Sequence, residues 1–265
     1  MTQTDYTIVI PARYASSRFP GKPLHLINGR PMLLHTADRA RESCAGIVVV
    51  ATDDERICKV CEDDGLDVHM TDAAHPSGTD RIAEVAETRH WPDDMLIVGL
   101  QGDEPATSAR HLDLLAKNLA ANTSADVATL CMPISNPDDY TNPNRVKVVM
   151  NCQNMALYFS RSSIPARRKL PAQGAQSALE GADGIPESFL HIGLYAYRCA
   201  YLKTYKELTP CLLEKEEQLE QLRMLYFGGQ IHVCTIETGP ARGVDHPDDI
   251  ALLEAVLKHG APDTL

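Results

Sequence analysis

The first half of the chain alternates short apolar runs with amphipathic stretches. The segments "YTIVI" (6–10) and "GIVVVAT" (46–52) are almost entirely apolar, and "DMLIVGLQGDEP" (94–105) begins in the same way. Between them, "PMLLHTADRARES" (31–43) and "GTDRIAEVAETRH" (78–90) carry apolar residues at helical spacing. Unbroken apolar strands that alternate with helices are typical of a parallel sheet covered on both faces. The pattern therefore predicts a three-layer α/β fold whose ligands bind outside the carboxyl ends of the strands.

The second half of the chain has a different pattern. The segments "RVKVVMN", "MALYFSR", "FLHIGLYAYR" and "QIHVCTIET" predict strands, some with hairpin-like spacing. Residues 214–229 predict one amphipathic helix that ends in glycine, residues 246–260 predict another, and residues 170–188 predict a long loop rich in Ala, Gly, Pro and Ser. A length of 265 residues fits a single α/β domain, 1–265, and we expect it to contain a smaller mixed-sheet lobe at about 133–210.

Composition narrows the class of protein. Asp and Glu total 36 and Lys and Arg total 25, so the formal charge is −11, which disfavours nucleic acid as a partner. The sequence shows no secretory signal and no run of the ~20 apolar residues that a membrane helix needs, so we expect a cytoplasmic protein. Several of the eight cysteines lie within apolar runs and predict buried free thiols. Cys58 and Cys61 form a lone C-x-x-C, which is weak evidence for a zinc or redox site.

The loop after the first strand, "IPARYASSRFPGKPL" (10–24), is cationic although the chain is acidic. Arg13, Arg18 and Lys22 lie within ten residues of each other, with Ser16 between them. Arginine binds phosphate through a planar fork and lysine acts as a mobile point charge. The loop therefore predicts a site for a small polyanion, with a merely solvated basic loop as the alternative. A P-loop is excluded because G-x-x-x-x-G-K-S/T is absent.

Two acidic motifs predict a metal site. Asp103 in "QGDEP" follows an apolar strand, as a magnesium ligand beside a triphosphate would. Asp245 in "GVDHPDDI" precedes a predicted helix and could supply a second carboxylate. The alternatives are an acidic turn for Asp103 and a helix cap for Asp245.

The motif "HPSGTDRI" (75–82) begins a predicted helix. Its unpaired N–H groups could bind an anion or the edge of a base, and Thr79 is a plausible N-cap. Arg81 lies one turn further on and could bind a substrate or form a surface salt bridge with Glu84 or Glu87.

Together these motifs resemble those of the CMP-acid-sugar synthetase family, nearly from end to end. The resemblance rests on the opening loop, "HPSGTDRI", "QGDEP", "NPNRVKVV", "YFSRSSIP", "HIGLYAYR", "EEQLEQLR" and "GVDHPDDI". The family has Pro-Ala-Arg where sugar-1-phosphate nucleotidylyltransferases have a Gly-Gly loop. "PGKP" and "QGDEP" favour the octulosonate branch over CMP-sialate synthetases.

The resemblance implies a nucleotide-diphospho-sugar transferase (GT-A-like) fold and a Mg²⁺-dependent reaction. CTP would react with 3-deoxy-D-manno-octulosonate (KDO) to give CMP-KDO and pyrophosphate for lipopolysaccharide biosynthesis. It also implies a homodimer that pairs through the mixed-sheet lobe. The open alternatives are another acid sugar, such as an 8-amino octulosonate or a sialic acid, and a non-catalytic nucleotide-binding protein.

The resemblance also implies a role for each candidate residue. The catalytic residues would be Arg13, Lys22 and Asp103, and the metal ligands Asp103 and Asp245. The nucleotide would contact Ala12, Arg13, Ser16, Arg18, Lys22, Ser77, Gly78 and Gln101. Arg81 would bind the sugar carboxylate, and the sugar hydroxyls would contact Gln101, His191, Tyr195, Glu220 and Gln221. Since Glu220 and Gln221 are about 100° apart on a helix, both can face one ligand only at the helix edge.

Overall fold

The structure is a computed structural model that describes residues 4–15, 19–166, 188–240, 243–244 and 249–258. The strands in chain order are β1 (Thr7–Ala12), β2 (Leu26–Ile27), β3 (Arg30–Pro31), β4 (Ile47–Thr52), β5 (Asp67–Met70), β6 (Leu96–Gly99), β7 (Val127–Pro133), β8 (Lys147–Met150), β9 (Ala156–Ser160), β10 (Phe189–Arg198) and β11 (Ile231–Thr235). The helices are α1 (Met32–Arg41), α2 (Glu55–Asp63), α3 (Gly78–Thr88), α4 (Ala109–Ala121), α5 (Pro137–Thr141), α6 (Cys199–Tyr205), α7 (Leu212–Glu217), α8 (Gln221–Tyr226) and α9 (Asp249–Lys258).

The chain folds into two compact units. Unit 1 comprises Met1–Ala121, Leu194–Glu207 and Pro240–Leu265, and unit 2 comprises Asn122–Gly193 and Leu208–Gly239. The boundaries of unit 2 differ from those predicted for the smaller lobe. The difference arises because β11 returns to pair with β7, a contact between segments about a hundred residues apart that local sequence does not reveal.

Unit 1 is built on a parallel sheet. β1 lies between β4 and β6 and is parallel to both, and β5 is parallel to β4. The last residues of β10 pair with β6 in the antiparallel direction. All six residues of β1 are buried, because helices α1 and α3 pack against the strand. This burial explains the almost unbroken apolar run, and the predicted three-layer α/β architecture with a mostly parallel sheet is confirmed.

Side-chain caps set the start of two helices in unit 1. Asp54 accepts a hydrogen bond from the backbone N–H of Arg56 at 3.0 Å and begins α2. Ser77 accepts one from the N–H of Asp80 at 3.2 Å and begins α3. The prediction that Thr79 is the N-cap of this helix is wrong. Ser77 has the extended backbone that a cap requires, and Thr79 lies inside the first turn.

Unit 2 contains a mixed sheet, as predicted. β7 is parallel to β11, whereas β8 is antiparallel to both β9 and the first residues of β10. Lys147 in β8 is fully buried. Its ammonium donates to the carbonyl oxygens of Asn142, Arg145 and Arg161 at 3.0, 2.6 and 2.6 Å. One buried cation thus joins the turn before β8 to the end of β9.

The helix predicted over residues 214–229 is interrupted. α7 ends at Glu217, the following residue Gln218 adopts φ 52°, and α8 starts three residues after Gln218. The guanidinium of Arg161 donates to the carbonyl oxygen of Glu217 at 2.6 Å and to that of Gln218 at 3.3 Å. These contacts satisfy carbonyls at the end of α7 from outside the helix, so the chain can turn where its sequence favours continued helix.

The eight cysteines all lie within the described residues and are free thiols, with Cys44 and Cys152 exposed. Burial raises the pKa of the Cys61 thiol to about 12. The described part of the chain holds no group of three or more His, Cys, Asp or Glu side chains suited to a metal ion. Cys58 and Cys61 therefore gain no support as a zinc site. None of the helices in the described ranges is both long and apolar enough to span a bilayer.

Candidate active site

The candidate site in unit 1 lies at the carboxyl ends of β1 and β6. Gly102, three residues after β6, donates its N–H to the carbonyl oxygen of Pro11 in β1 at 3.3 Å. A Cβ on Gly102 would lie 3.2 Å from that oxygen and 3.3 Å from the Cβ of Ala12. Glycine therefore allows "QGDEP" to run directly beside "IPAR". Ala12 is buried, and Arg13, the next residue, is exposed.

The start of α3 meets the same two loops. A Cβ on Gly78 would lie 3.1 Å from Nε2 of Gln101 and 3.2 Å from Cγ of Pro11. The predicted nucleotide residues Ala12, Gly78 and Gln101 thus come from three motifs that adjoin in the structure. The hydroxyl of Ser77 donates to Asp80 Oδ2 at 2.6 Å and also caps the helix. What Ser77 can offer a ligand is therefore its position at the helix start, where backbone N–H groups lack helical partners.

Lys22 connects the opening loop to Asp103. Gly21, which has φ 73°, donates its N–H to the carbonyl oxygen of Tyr14 at 2.9 Å and closes the loop. The ammonium of Lys22 forms an ion pair with Asp103 Oδ2 and donates to the carbonyl oxygen of Val244 at 2.7 Å. This predicted pair of a phosphate-binding cation and a metal-binding carboxylate therefore meets in space.

The segment that precedes Asp245 also lies against Asp103. Val244 donates its N–H to the carbonyl oxygen of Asp103 at 3.1 Å, and a Cβ on Gly243 would lie 3.1 Å from the same oxygen. Asp245 itself is outside the described residues, as are Ser16 and Arg18. Their predicted roles stay predictions.

The donor set fits Mg²⁺. Asp103 offers hard carboxylate oxygens on a side chain that is one-third exposed. Mg²⁺ typically takes one or two carboxylates from a protein and completes its octahedron with phosphate oxygens and water. A single described carboxylate beside the cationic opening loop meets this requirement without a cage of protein ligands.

Glu104 is a feature that sequence reasoning missed. Its Oε2 is inaccessible to solvent and has no hydrogen-bond partner among the residues that the structure describes. Burial, with the charge of Asp103, raises the pKa of Glu104 to about 8. The only sequence signal was its place next to Asp103 in "GDEP". In its protonated form Glu104 adds no negative charge beside Asp103 at neutral pH.

Arg81 is buried and already paired. Its Nη2 donates to Asp53 Oδ2 at 2.6 Å, and the two side chains are 3% and 14% exposed. The alternative of a surface bridge with Glu84 or Glu87 is wrong, because those carboxylates pair with His75 and Lys206. Releasing one partner of a buried ion pair costs ~3–5 kcal/mol. The predicted contact between Arg81 and the sugar carboxylate is untested, and it would have to share or displace Asp53.

The remaining sugar candidate of unit 1 is Tyr195. It lies in β10 opposite Gly99 of β6, and its ring stacks on that of Tyr197 with centroids 5.9 Å apart. β6 separates its strand from β1, the strand that leads into the opening loop.

Unit 2 holds the other three sugar candidates. His191 shares a hydrogen bond of 2.9 Å between its Nε2 and Thr129 Oγ1, and its ring packs edge-to-face on Phe159. Burial lowers the pKa of His191 to about 3, so its imidazole is neutral at physiological pH. Glu220 is exposed and Gln221 is 5% exposed at the start of α8. The two neighbours thus have different environments, as their angular separation on a helix predicts.

Comparisons with a family model, with curated relatives and with solved structures all find similarity to cytidylyltransferases. The family model described as cytidylyltransferase matches residues 7–231. Proteins named 3-deoxy-manno-octulosonate cytidylyltransferase from Methylococcus capsulatus and Hahella chejuensis are each 48% identical to this chain, over 255 and 252 residues. These matches cover 96% of this chain and 96% of the first relative, and 95% of this chain and 97% of the second. A solved structure of CMP:2-keto-3-deoxy-manno-octonic acid synthetase in complex with CTP is 37% identical, has a TM-score of 0.85, and matches over 96% of this chain and 99% of its own.

Proposed function

Because this chain belongs to the cytidylyltransferase family, and within it to the 3-deoxy-manno-octulosonate cytidylyltransferases, we infer that it transfers CMP from CTP to KDO and releases pyrophosphate. The enzyme is a nucleotidyltransferase. The observation that carries the inference is the meeting of "IPAR", "HPSG" and "QGDEP" at the carboxyl ends of parallel strands, with Lys22 paired to Asp103. We propose that the product serves lipopolysaccharide biosynthesis.

The reaction is a displacement at the α-phosphorus of CTP. The anomeric 2-hydroxyl oxygen of KDO forms a bond to this phosphorus, and the bond to the bridging oxygen of pyrophosphate breaks. Pyrophosphate takes the electron pair, and the hydroxyl proton passes to solvent. No covalent enzyme intermediate is required, so the protein contributes mainly by positioning the reactants and stabilising charge.

Arg13 and Lys22 are the proposed partners of the triphosphate. Arg13 is exposed directly after β1, where an anion can reach it. Lys22 is shared between Asp103 and the carbonyl oxygen of Val244. A triphosphate would compete with Asp103 for this ammonium, and the carboxylate would then be available to a cation. Arg18 and Ser16 are proposed to extend the same phosphate loop.

Asp103 and Asp245 are the residues proposed to hold Mg²⁺. When bound, the ion would polarise the α-phosphate and offset the charge that develops on it. Asp103 is placed by the strand end of β6 and by its backbone hydrogen bond with Val244.

The nucleoside is proposed to lie against Ala12, Ser77, Gly78 and Gln101. The N–H groups at the start of α3 can donate to carbonyl or hydroxyl oxygens of cytosine and ribose. The amide of Gln101 supplies both a donor and an acceptor beside them.

The sugar hydroxyls are proposed to contact Gln101 and Tyr195 of unit 1. A matched pair of variants tests this set. Tyr195→Phe should raise the KM for KDO without changing the KM for CTP, because it removes one hydroxyl and keeps the ring. Tyr226→Phe, at an exposed position of α8, provides the control. Equal kinetics for the Tyr195 variant and wild type would remove Tyr195 from the sugar site.

We propose a homodimer that forms through unit 2. Five of the eight large apolar side chains that the structure describes as exposed belong to this unit: Leu157, Leu212, Leu213, Tyr226 and Phe227. Light scattering after size exclusion should give twice the chain mass of 29.1 kDa. A cytoplasmic location is also proposed, because proteins there keep their thiols reduced and all eight cysteines are free.

Pyrophosphate release from CTP, measured with KDO, an 8-amino octulosonate and a sialic acid in turn, tests the proposed function. We expect turnover with KDO that depends on Mg²⁺, together with CMP-KDO as the isolated product. A preference for another acid sugar would change the substrate, and no turnover with any acid sugar would refute the proposed activity.

A further inference from the structure

One buried guanidinium ties the first turn of α3 to the ends of two strands. Arg81 Nη2 donates to Asp53, which follows β4, at 2.6 Å. Its Nη1 donates to Thr71 Oγ1 at 2.7 Å and to the carbonyl oxygen of Asp72 at 3.2 Å, both just after β5. Thr71 also donates its N–H to the carbonyl oxygen of Thr52 at 2.8 Å. We call Arg81, Asp53 and Thr71 the α3 clamp.

The α3 clamp lies at the N-terminal end of α3, which is proposed to contact the nucleotide. Arg81 follows Gly78 by three residues, about one helical turn. A Cβ on Gly78 would lie 3.1 Å from the Gln101 side chain and 3.2 Å from that of Pro11, a tighter contact than most side chains make. The start of α3 is therefore fixed from one side by this close packing and from the other by the clamp.

A ligand role for Arg81 fits this geometry poorly. Its side chain is 3% exposed, and its charge is already compensated by the carboxylate of Asp53. Thr71 Oγ1 and the carbonyl oxygen of Asp72 occupy the other fork of the guanidinium. A sugar carboxylate would meet a buried cation that already makes three hydrogen bonds.

We propose that Arg81 and Asp53 are positioning residues for CTP: they hold the first turn of α3 so that its N–H groups and Gly78 face the nucleoside. This role replaces the predicted contact of Arg81 with the sugar carboxylate. The inference rests on the proposed function, because it requires the start of α3 to bind the nucleotide.

Asp53→Asn is the main test, because it keeps the size of the side chain and removes the charge that orients Arg81. We expect the Kd for CTP, measured by titration calorimetry without sugar, to rise by about tenfold, the usual effect of losing a charge-assisted hydrogen bond. The KM for CTP should rise in parallel, whereas the KM for KDO should stay within about twofold. Arg81→Lys keeps the charge but loses the planar fork and should show the same pattern.

Asp67→Asn is the matched control. Asp67 pairs with Arg89 at the other end of α3, and its side chain is 47% exposed. Its CTP affinity should equal that of wild type. Thr71→Val removes only the hydroxyl bond to Arg81 and provides a second variant if Asp53→Asn fails to fold. We expect a smaller loss of CTP affinity in the same direction.

The outcomes separate this inference from the proposed function. A wild-type enzyme that turns over no acid sugar refutes the proposed function. A wild-type enzyme that makes CMP-KDO, together with Asp53→Asn and Thr71→Val variants of unchanged CTP affinity, refutes the clamp. A rise in the KM for KDO alone in Arg81→Lys also refutes it and restores Arg81 as a ligand of the sugar carboxylate.

Discussion

His191 should make folding sensitive to acid. Burial lowers its pKa from 6.5 to about 3. In the unfolded chain the imidazole binds a proton below about pH 6.5, whereas in the folded chain it stays neutral down to about pH 3. The unfolded state therefore binds more protons in this window, and the free energy of unfolding falls as the pH falls. The stability from neutral His191 is fully present above about pH 6.5 and is lost progressively below it.

The size of this loss of stability follows from the difference in the pKa of His191 between the unfolded and folded chain. Each pH unit within the window costs ~1.4 kcal/mol. Lowering the pH to 5 covers about 1.5 pH units of the window, which gives a loss of about 2 kcal/mol for a sealed imidazole. Because His191 is partly exposed, we expect a loss of between about 1 and 2 kcal/mol.

Urea unfolding followed by circular dichroism at pH 8 and pH 5 measures this loss. Wild type should lose about 1 to 2 kcal/mol more between the two pH values than His191→Gln, which has no group that titrates there. Other carboxylates and histidines titrate equally in both proteins and cancel in the difference. His90→Asn is the control, because His90 is exposed and asparagine tolerates its φ of 54°. If wild type and His191→Gln lose equal free energy, burial does not hold the imidazole neutral.

Four further predictions concern the candidate active site and the buried lysine of unit 2. Lys22→Met should lower kcat/KM by about 10²- to 10³-fold in the pyrophosphate assay, because one charge-stabilising donor is lost; near-normal turnover would exclude Lys22 from catalysis. Asp103→Asn should weaken the binding of Mn²⁺, followed by electron paramagnetic resonance as a probe for Mg²⁺, and unchanged binding would remove Asp103 from the metal site. Gly102→Ala should raise the KM for CTP, because its Cβ would lie 3.2 Å from the carbonyl oxygen of Pro11; an unchanged KM would show that the loops can separate without loss. Lys147→Met should lower the free energy of unfolding by about 3 kcal/mol, because three carbonyls lose a buried donor, and a urea midpoint equal to that of wild type would contradict this.

The central sheet is predictable because its signal is local. β1 and β4 are almost wholly apolar since both faces of the sheet are covered, and this is visible in six-residue runs. The places of Lys22 and Asp103 also follow from a general rule, because residues after parallel strands gather at one sheet edge. The break between α7 and α8 is different. Gln218 has no turn signature, and its conformation is supported by Arg161, which lies 57 residues away.

The partner of Arg81 could not be identified from sequence for the same reason. Helical spacing offers Glu84 and Glu87 as neighbours of Arg81. The observed partner, Asp53, lies 28 residues earlier in the chain, directly after β4. Burial was equally hidden: a charged residue in the first turn of a helix is usually solvated, but Arg81 points towards the ends of β4 and β5. Tertiary contacts of this kind decide side-chain roles that periodicity leaves open.

The two exposed cysteines are natural sites for the attachment of a fluorescent dye. Cys44 belongs to unit 1 and Cys152 to unit 2. A hydrogen bond to Asp113 raises the pKa of Cys44, which reduces its thiolate fraction at neutral pH, so a maleimide dye should modify this thiol slowly. An environment-sensitive dye on either thiol would report by fluorescence whether the surroundings of that residue change when CTP binds. The natural sequence thus allows each unit to be followed by itself without an introduced cysteine.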